Sequence, residues 1–452
     1  MTQAFEAAVH EAFGTGDLAR GSAAEVAKRF AEAIERVSTQ PLVHDYGRLW
    51  RYDPASGIWT PVDDAAITRM TTLIDGTACI ESAKPLKVGG GLWRDVGAAL
   101  NATPHDRSGF FARPAQGLSF RNGFVLVTKD GLQMLPHSAQ HRQRHCYPMD
   151  WDPDAPCERW WQALDEWGLL ENEQSFSAQA FGTGLIGLAA RGEKALILLG
   201  SGRNGKSVYM KVLQGLFPDE WRSSVPMTRL SDRFGASQLF GKRLNSLADA
   251  PNDDFIASSG FKAIVSGDEI QAEQKYRDGF KFVPECLLAY SFNPPRPAIT
   301  DASDGFWRRI AVIEFRQNFD GAARIEGLAD IILEAERPGI MAWALNGAVD
   351  RLRRGWAPCG VDVTAEWRHA EDPIGLWLAD IDAQHDDWTP AHELFTHFKR
   401  WAEPRNRLRG LGDRTFYERL HQHLAQTLGG DVKIRTKAGF QYRVVLPTRW
   451  PS

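Results

Sequence analysis

Short apolar runs recur in the middle of the chain: Ala195 to Leu199, Leu287 to Phe292 and Ile310 to Phe315, with Arg243 to Ala248 between the first two. Runs of this length without polar alternation predict strands buried on both faces. Glycine-rich or helix-capable segments separate them, and this alternation predicts a parallel sheet with helices on its faces. The N-terminal third follows another pattern. Helical periodicity predicts an amphipathic helix over Ala23 to Val37, and "LWRYDPASGIWTPV" predicts a hairpin turned by Asp53-Pro54 and Gly57. A second strand pair is expected in "LSFRNGFVLVTKDGLQML", turning at Asp130-Gly131. The segment "DWDPDAP" breaks regular structure. Helical spacing then resumes in "CERWWQALDEWGLL" and "QAFGTGLIGLAA", which places a boundary near residue 155. Residues 355 to 363, "GWAPCGVDV", read as a linker.

Bulk composition narrows the class. A chain of 452 residues exceeds one ordinary core, so several domains are expected. No run of 18 apolar residues and no secretory leader pattern appears, so a membrane span and export are not expected. Cys79, Cys146, Cys157, Cys286 and Cys359 are scattered, odd in number and never spaced as C-x-x-C. That usage fits a reducing, cytoplasmic setting rather than a disulfide framework or a zinc ribbon.

The chemistry begins at Gly200, Ser201, Gly202, Arg203, Asn204, Gly205, Lys206 and Ser207, which satisfy G-x-x-x-x-G-K-[ST] between an apolar strand and the helix-capable "VYMKVLQGLF". Glycines let successive backbone N–H groups turn toward phosphate oxygens, and the helix N-terminus adds partial positive charge. Lys206 is placed to reach the β and γ phosphates of ATP, and Ser207 to ligate Mg2+. "KRLNSLADAP" ends a strand in Asp249, where an acid can share the metal shell or orient water; Asp253 and Asp254 are nearby rivals. "CLLAYSFNPPRP" ends a strand in Asn293, whose amide can position that water, although a bare turn asparagine is the alternative. Arg308 and Arg309 stand just before the last strand, where an arginine from a neighbouring subunit could spread charge over the transferring phosphate.

In order, "LLGSGRNGKS", "GKRLNSLAD", "FKAIVSGDEIQAEQKY", "FNPPRP" and "FWRRIAVIEF" resemble the superfamily 3 helicases, most closely the phage and plasmid primase-helicase family with its poxvirus relatives. The resemblance covers residues 40 to 360 well and the tail loosely. It implies an α/β fold: an AAA+-like P-loop ATPase core over residues 191–360, preceded by an α+β N-terminal domain over 1–155 and a helical collar over 156–190. It further implies a homo-hexameric ring that moves on single-stranded DNA and opens forked duplex. Carried over, Lys206 and Ser207 take the phosphate and magnesium roles, Asp249 the second acidic motif, Asn293 the sensor, and Arg308 or Arg309 the finger acting in trans. Lys275, Tyr276 and Arg277 would grip DNA from a hairpin facing the channel. Two departures stand out: relatives usually carry glutamate at Asp249 and tend to show arginine where this chain has Glu273. The N-terminal segment is short for a primase fold, so a separate primase or host replication proteins are implied as partners.

Residues 398 to 443 hold eleven Lys or Arg against four acids within a chain of net charge -4. Their order, helix, loop, helix "DRTFYERLHQHLAQTL", turn, then "VKIRT" and "FQYRVVL", predicts a C-terminal winged helix over 361–452. Arg414, Tyr417, Arg419, Lys433, Arg435 and Lys437 are its candidate DNA contacts, with a protein-contact role as the alternative. His137, His141 and His145 recur every four residues beside Cys146, but Pro136, Arg142 and Arg144 favour a loop over a metal site. Trp50, Trp59, Trp93, Trp160 and Trp161 are expected in the core rather than stacked on bases. The leading expectation is an ATP-dependent DNA helicase of a phage, plasmid or integrated element. The alternatives are a nucleotide-switched initiator or helicase loader, and a non-replicative P-loop enzyme such as a small-molecule kinase.

Overall fold

The computed structural model describes residues 3–14, 17–46, 48–82, 84–102, 109–250, 258–273, 279–293, 296, 299, 303–319, 325–405, 407–408, 411–437 and 439–447. The chain divides into two compact units, Met1–Cys157 with Pro338–Arg354, and Glu158–Arg337 with Gly355–Ser452. Among the described residues no helix is long and apolar enough to cross a membrane.

In the first unit the helix Ala23–Ser38 buries Val26, Ala27, Phe30, Ala31, Ala33 and Ile34, the stripe that a 3.6-residue period sets on one face. Ser22 caps it by accepting from the Glu25 N–H. The first hairpin pairs Arg48–Asp53 with Ile58–Pro61, antiparallel. The stretch expected to hold one strand pair folds into three strands, Gly117–Phe120, Gly123–Thr128 and Gly131–Leu135. Its additional turn is fixed by Asn122, whose amide donates to the Trp151 carbonyl at 3.0 Å and accepts from the Trp151 N–H at 2.8 Å. Trp50, Trp59 and Trp160 are buried as expected, whereas Trp161 is exposed and Trp93 is half-buried.

The second unit is built on a five-stranded sheet in the order Ile310–Glu314, Ala195–Leu199, Leu287–Phe292, Leu244–Leu247, Arg222–Ser223, with every neighbouring pair parallel. Ile197, Leu288, Tyr290, Val312 and Phe261 are among the side chains packed in its core. Parallel strands require crossovers, and the helix Lys206–Gly215 supplies the first of them. The stretch read as a linker is partly helical: Val361–Ala370 forms a helix that buries Val363 and Trp367. Only two of its positions reach the core, too few to announce the period in sequence. Further on, the helices Pro373–Asp380, Ala391–Ala402 and Asp413–Leu428 surround Trp377, Phe398, Phe416 and Leu420. A small antiparallel sheet in the order Thr389–Pro390, Gly439–Tyr442, Lys433–Thr436 closes this part.

Candidate functional site

Because the strands run in one direction, the loops leaving their C-terminal ends gather along one edge of the sheet, the usual place for a ligand crevice in open α/β folds. Four such ends converge here: the loop 200–205, Ala248–Asp249, Asn293, and Phe315–Phe319. The first loop turns through Gly202 at φ 96°, Arg203 at φ 50° and Gly205 at φ 95°. Hydrogen bonds hold it to its neighbour, Phe315 N–H to Leu199 O and Phe319 N–H to Arg203 O, both at 2.8 Å.

Gly205 is required twice over. Its positive φ suits no side chain, and a Cβ would lie 2.4 Å from the Trp167 indole. Gly202 shares the φ but faces open space. Gly205→Ala is therefore expected to lower stability by about 2–4 kcal/mol, against about 1 kcal/mol for Gly202→Ala, where strain acts alone. Chemical denaturation of the two variants reads the difference, and equal losses would refute the packing argument.

The Lys206 amine is buried and donates to Gly200 O at 2.7 Å and Asn204 Oδ1 at 3.1 Å. The Asn204 amide in turn donates to Phe315 O at 3.3 Å. Burial lowers the Lys206 pKa, and the negative charge of Asp249 opposes that shift. Across the crevice the Asn293 amide donates to Asp249 Oδ1 at 3.2 Å, so the two polar strand ends form one unit. Lys206, Ser207, Asp249 and Asn293 all line one cleft of about 510 Å³. Exposed Ser207 and Asp249 offer oxygen ligands that suit Mg2+, which keeps several waters and binds together with substrate phosphates.

Arg308 and Arg309 are not among the residues lining this cleft. Arg309 donates to Ser266 Oγ at 2.9 Å and Gly305 O at 2.7 Å, and its side chain is 11% exposed. The Arg308 side chain is 64% exposed, with Glu193 at 3.9 Å. The hairpin expected to carry the channel residues has its base in Ile270–Ala272 paired with Phe280–Phe282. Lys275, Tyr276 and Arg277 lie outside the described residues, as do Asp253 and Asp254. Glu273, one of the two departures, forms an ion pair with Arg233 at 2.5 Å.

In the basic tail, Arg414 pairs with Glu418 at 3.0 Å, Arg419 is half-buried and Lys437 is exposed at the turn between the last two strands. Tyr417 is half-buried and stacks on Tyr442 with 6.1 Å between ring centres, which makes it a core contributor. Lys433 and Arg435 stand 4.1 and 5.8 Å from the ring of Phe440, itself 47% exposed. Sequence reasoning missed Phe440, although its place between basic strand residues is a usable signal. It also missed Arg159, Glu166, Trp167, Lys211 and Phe319 in the cleft wall. On an amphipathic helix such residues carry no local mark, and only the topology brings them to the loop. Among the described residues, the His137, His141, His145 and Cys146 stretch contributes to no group of three or more side chains able to hold a metal.

Comparison with known proteins bears on the same stretch. Residues 198–309, from just before the glycine loop to Arg309, match a protein-family model described as a family of unknown function, DUF5906. A protein of Acanthamoeba polyphaga mimivirus described as "Putative helicase" is 30% identical over 136 residues, or 28% of this chain. The match spans 14% of the length of that relative. Among solved structures, two apo forms of the NrS-1 C-terminal region are 13% identical, with TM-scores of 0.46 and 0.47. Each alignment covers 90% of this chain, and 97% and 96% of those chains respectively. The chain therefore has helicase-like similarity over a minority of its length, on a mixed α/β fold with a parallel sheet.

Proposed function

We propose that the chain is an ATP-dependent DNA helicase of the superfamily 3 type, an AAA+-like P-loop ATPase that assembles as a hexameric ring. The observation that carries this reading is the convergence of the Lys206 loop and the hydrogen-bonded Asp249–Asn293 pair on one cleft at the C-terminal edge of a parallel sheet. A glycine loop that turns through positive φ and a buried amine suit a polyphosphate, and an acid beside an amide suits the placing of water for attack. Mg2+ held by Ser207 and shared with Asp249 would neutralise charge on the phosphate oxygens. The tail is read as a winged helix, because three helices followed by a hairpin with basic residues at its turn match that pattern. The helicase description of the mimivirus relative agrees with this reading.

ATP hydrolysis measured with and without single-stranded DNA, beside displacement of a strand from a forked duplex, tests the proposal. Stimulated hydrolysis with displacement is the expected result. Hydrolysis by a monomer, indifferent to DNA, would overturn it. A second reading, a nucleotide-switched initiator or loader, draws on the tail, where Lys433, Arg435 and exposed Phe440 form a surface suited to DNA apart from any motor. ATP-dependent DNA binding without displacement would favour that reading.

A further inference from the structure

The proposed reaction and the candidate DNA contacts all belong to the second unit, yet the first unit presents its own cluster of rings and arginines. Tyr46 stands in the turn between the strands Val43–Asp45 and Arg48–Asp53, at φ 53°. Such a left-handed position favours glycine or asparagine, and a bulky residue held there costs about 1 kcal/mol or more. The Tyr46 ring is nonetheless 41% exposed, so core packing alone does not account for it. It lies nearly parallel to the buried ring of Phe111, at 15° with 6.2 Å between ring centres. An aromatic kept at a strained turn, anchored on a buried partner and open to solvent, is suited to receive another flat ring.

Positive charge surrounds that ring. The Arg144 guanidinium lies 5.4 Å from the centres of both Tyr46 and Phe111. Arg48, across the turn, and Arg113, directly after the short helix Phe110–Ala112, are exposed. Among the described residues none of these three arginines forms an ion pair. Arg142 donates to Phe110 O at 2.9 Å and sits over the Phe110 ring. Asp45, the acid of this turn, is buried and accepts from the N–H groups of Tyr46, Gly109 and Phe111 at 2.9, 3.2 and 2.9 Å. Its carboxylate ties the two segments together and leaves the arginines without an acidic partner. The surrounding sequence has the same sign: over residues 109–147, Arg113, Arg121, Lys129, Arg142 and Arg144 face one acid, Asp130, in a chain of net charge -4.

We infer that this surface of the first unit binds single-stranded DNA, with a base stacked on Tyr46 and the flanking phosphates held by Arg48, Arg113 and Arg144. Arginines without carboxylate partners suit a polyanion. A ring face open to solvent suits an unpaired base, because a duplex hides its base faces in its own stack. Stacking is tolerant of base identity, so the site holds a strand without reading its sequence. The site itself rests on residues of the first unit alone, whereas the choice of DNA over RNA rests on the helicase reading.

Fluorescence anisotropy of a labelled oligothymidine of about 15 nucleotides, titrated with the full chain in the absence of ATP, tests this. Tyr46→Gly removes the ring while suiting φ 53°, so the hairpin keeps its turn. It should weaken single-strand binding by about fivefold or more, and duplex binding by about twofold or less. Tyr46→Phe, which keeps the ring, should bind as the wild type does. Arg144→Gln should reduce the slope of log K against log salt by about 0.7, the share of one phosphate contact on a single strand. Photocrosslinking with bromodeoxyuridine in the oligonucleotide locates the site, and a crosslink to Tyr46 is expected. Unchanged single-strand affinity in Tyr46→Gly, an equal loss for single strand and duplex, or crosslinks confined to the second unit overturns the inference. Tighter binding of the matching RNA overturns the assignment to DNA. No measurement here uses ATP or strand displacement. If displacement fails while this binding pattern holds, the motor reading alone falls; if displacement succeeds without the pattern, this inference alone falls.

Discussion

Lys206→Ala is expected to lower ATP turnover by about 10²–10³, the usual cost of deleting one preorganised charge that stabilises a transition state, and to remove strand displacement with it. The same change should leave the fold intact, which makes the loss interpretable. In the folded chain the amine is buried, and desolvation lowers its pKa from the ordinary 10.5 despite the charge of Asp249. A lysine whose folded pKa is depressed binds its proton more weakly when folded than when unfolded. The penalty is therefore present at neutral pH and is relieved as pH rises from the folded value toward the free-lysine value. Removing the side chain removes the penalty but also leaves Gly200 O and Asn204 Oδ1 without the amine, while Asn204 keeps its bond to Phe315 O. The two effects oppose each other, so thermal unfolding at neutral pH should show only a small change in Tm. A turnover loss accompanied by a large fall in Tm would mean that Lys206 holds the loop together instead of acting on phosphate.

The glycine loop was legible because its demands are local. Positive φ at Gly202 and Gly205, a lysine one residue into the helix and an apolar strand before them all fall within about a dozen residues, as short motifs do. The flanking strands were legible for a related reason. Burial on both faces leaves runs such as Leu287–Phe292 with every position buried, and their shortness and the turn residues that bound them favour strand over buried helix. What escaped was set by long-range packing. Arg159 reaches the cleft wall because its helix is clamped by Glu336, 177 positions away in sequence. Gly205 must lack a side chain partly because Trp167 packs against it, a relation visible only once both are placed. The additional strand turn at Asn122 depends on its bonds to Trp151, and the helix at Val361 on two apolar contacts with a distant sheet. Arg308 and Arg309 illustrate the limit most sharply. They are neighbours of one type, and sequence offers no ground to choose between them. Burial separates them: one guanidinium is tied to Ser266 and Gly305, and the other is largely in solvent.

That separation leads to the second large effect. Arg308→Ala is expected to cut ATP turnover by about 10³–10⁵, the range for an arginine finger, while leaving ATP affinity close to wild type. The reason is where the residue stands. Parallel register sets Ile310 beside Ala195 and Glu314 beside Leu199. The four steps from Ile310 to Glu314 span roughly 13 Å at roughly 3.3 Å per residue, and Arg308 precedes them, so it stands toward the opposite end of the strand from the edge that carries Lys206. It does not line the cleft of its own chain, and in the proposed ring a neighbour's cleft is the site it would serve. Arg309→Ala should behave differently. It frees the Ser266 hydroxyl and the Gly305 carbonyl from a partly buried partner, so it should cost about 1–3 kcal/mol of stability and affect turnover mainly through folding. Mixed assemblies decide the matter. A Lys206→Ala subunit is inactive in its own cleft but still carries Arg308, and an Arg308→Ala subunit has an intact cleft. Mixing the two should restore measurable turnover at junctions that join the sound halves. Recovery requires catalysis across a subunit boundary. Its absence in mixtures shown by sedimentation to be co-assembled would place the essential arginine elsewhere and remove the basis for ring-dependent hydrolysis in this chain.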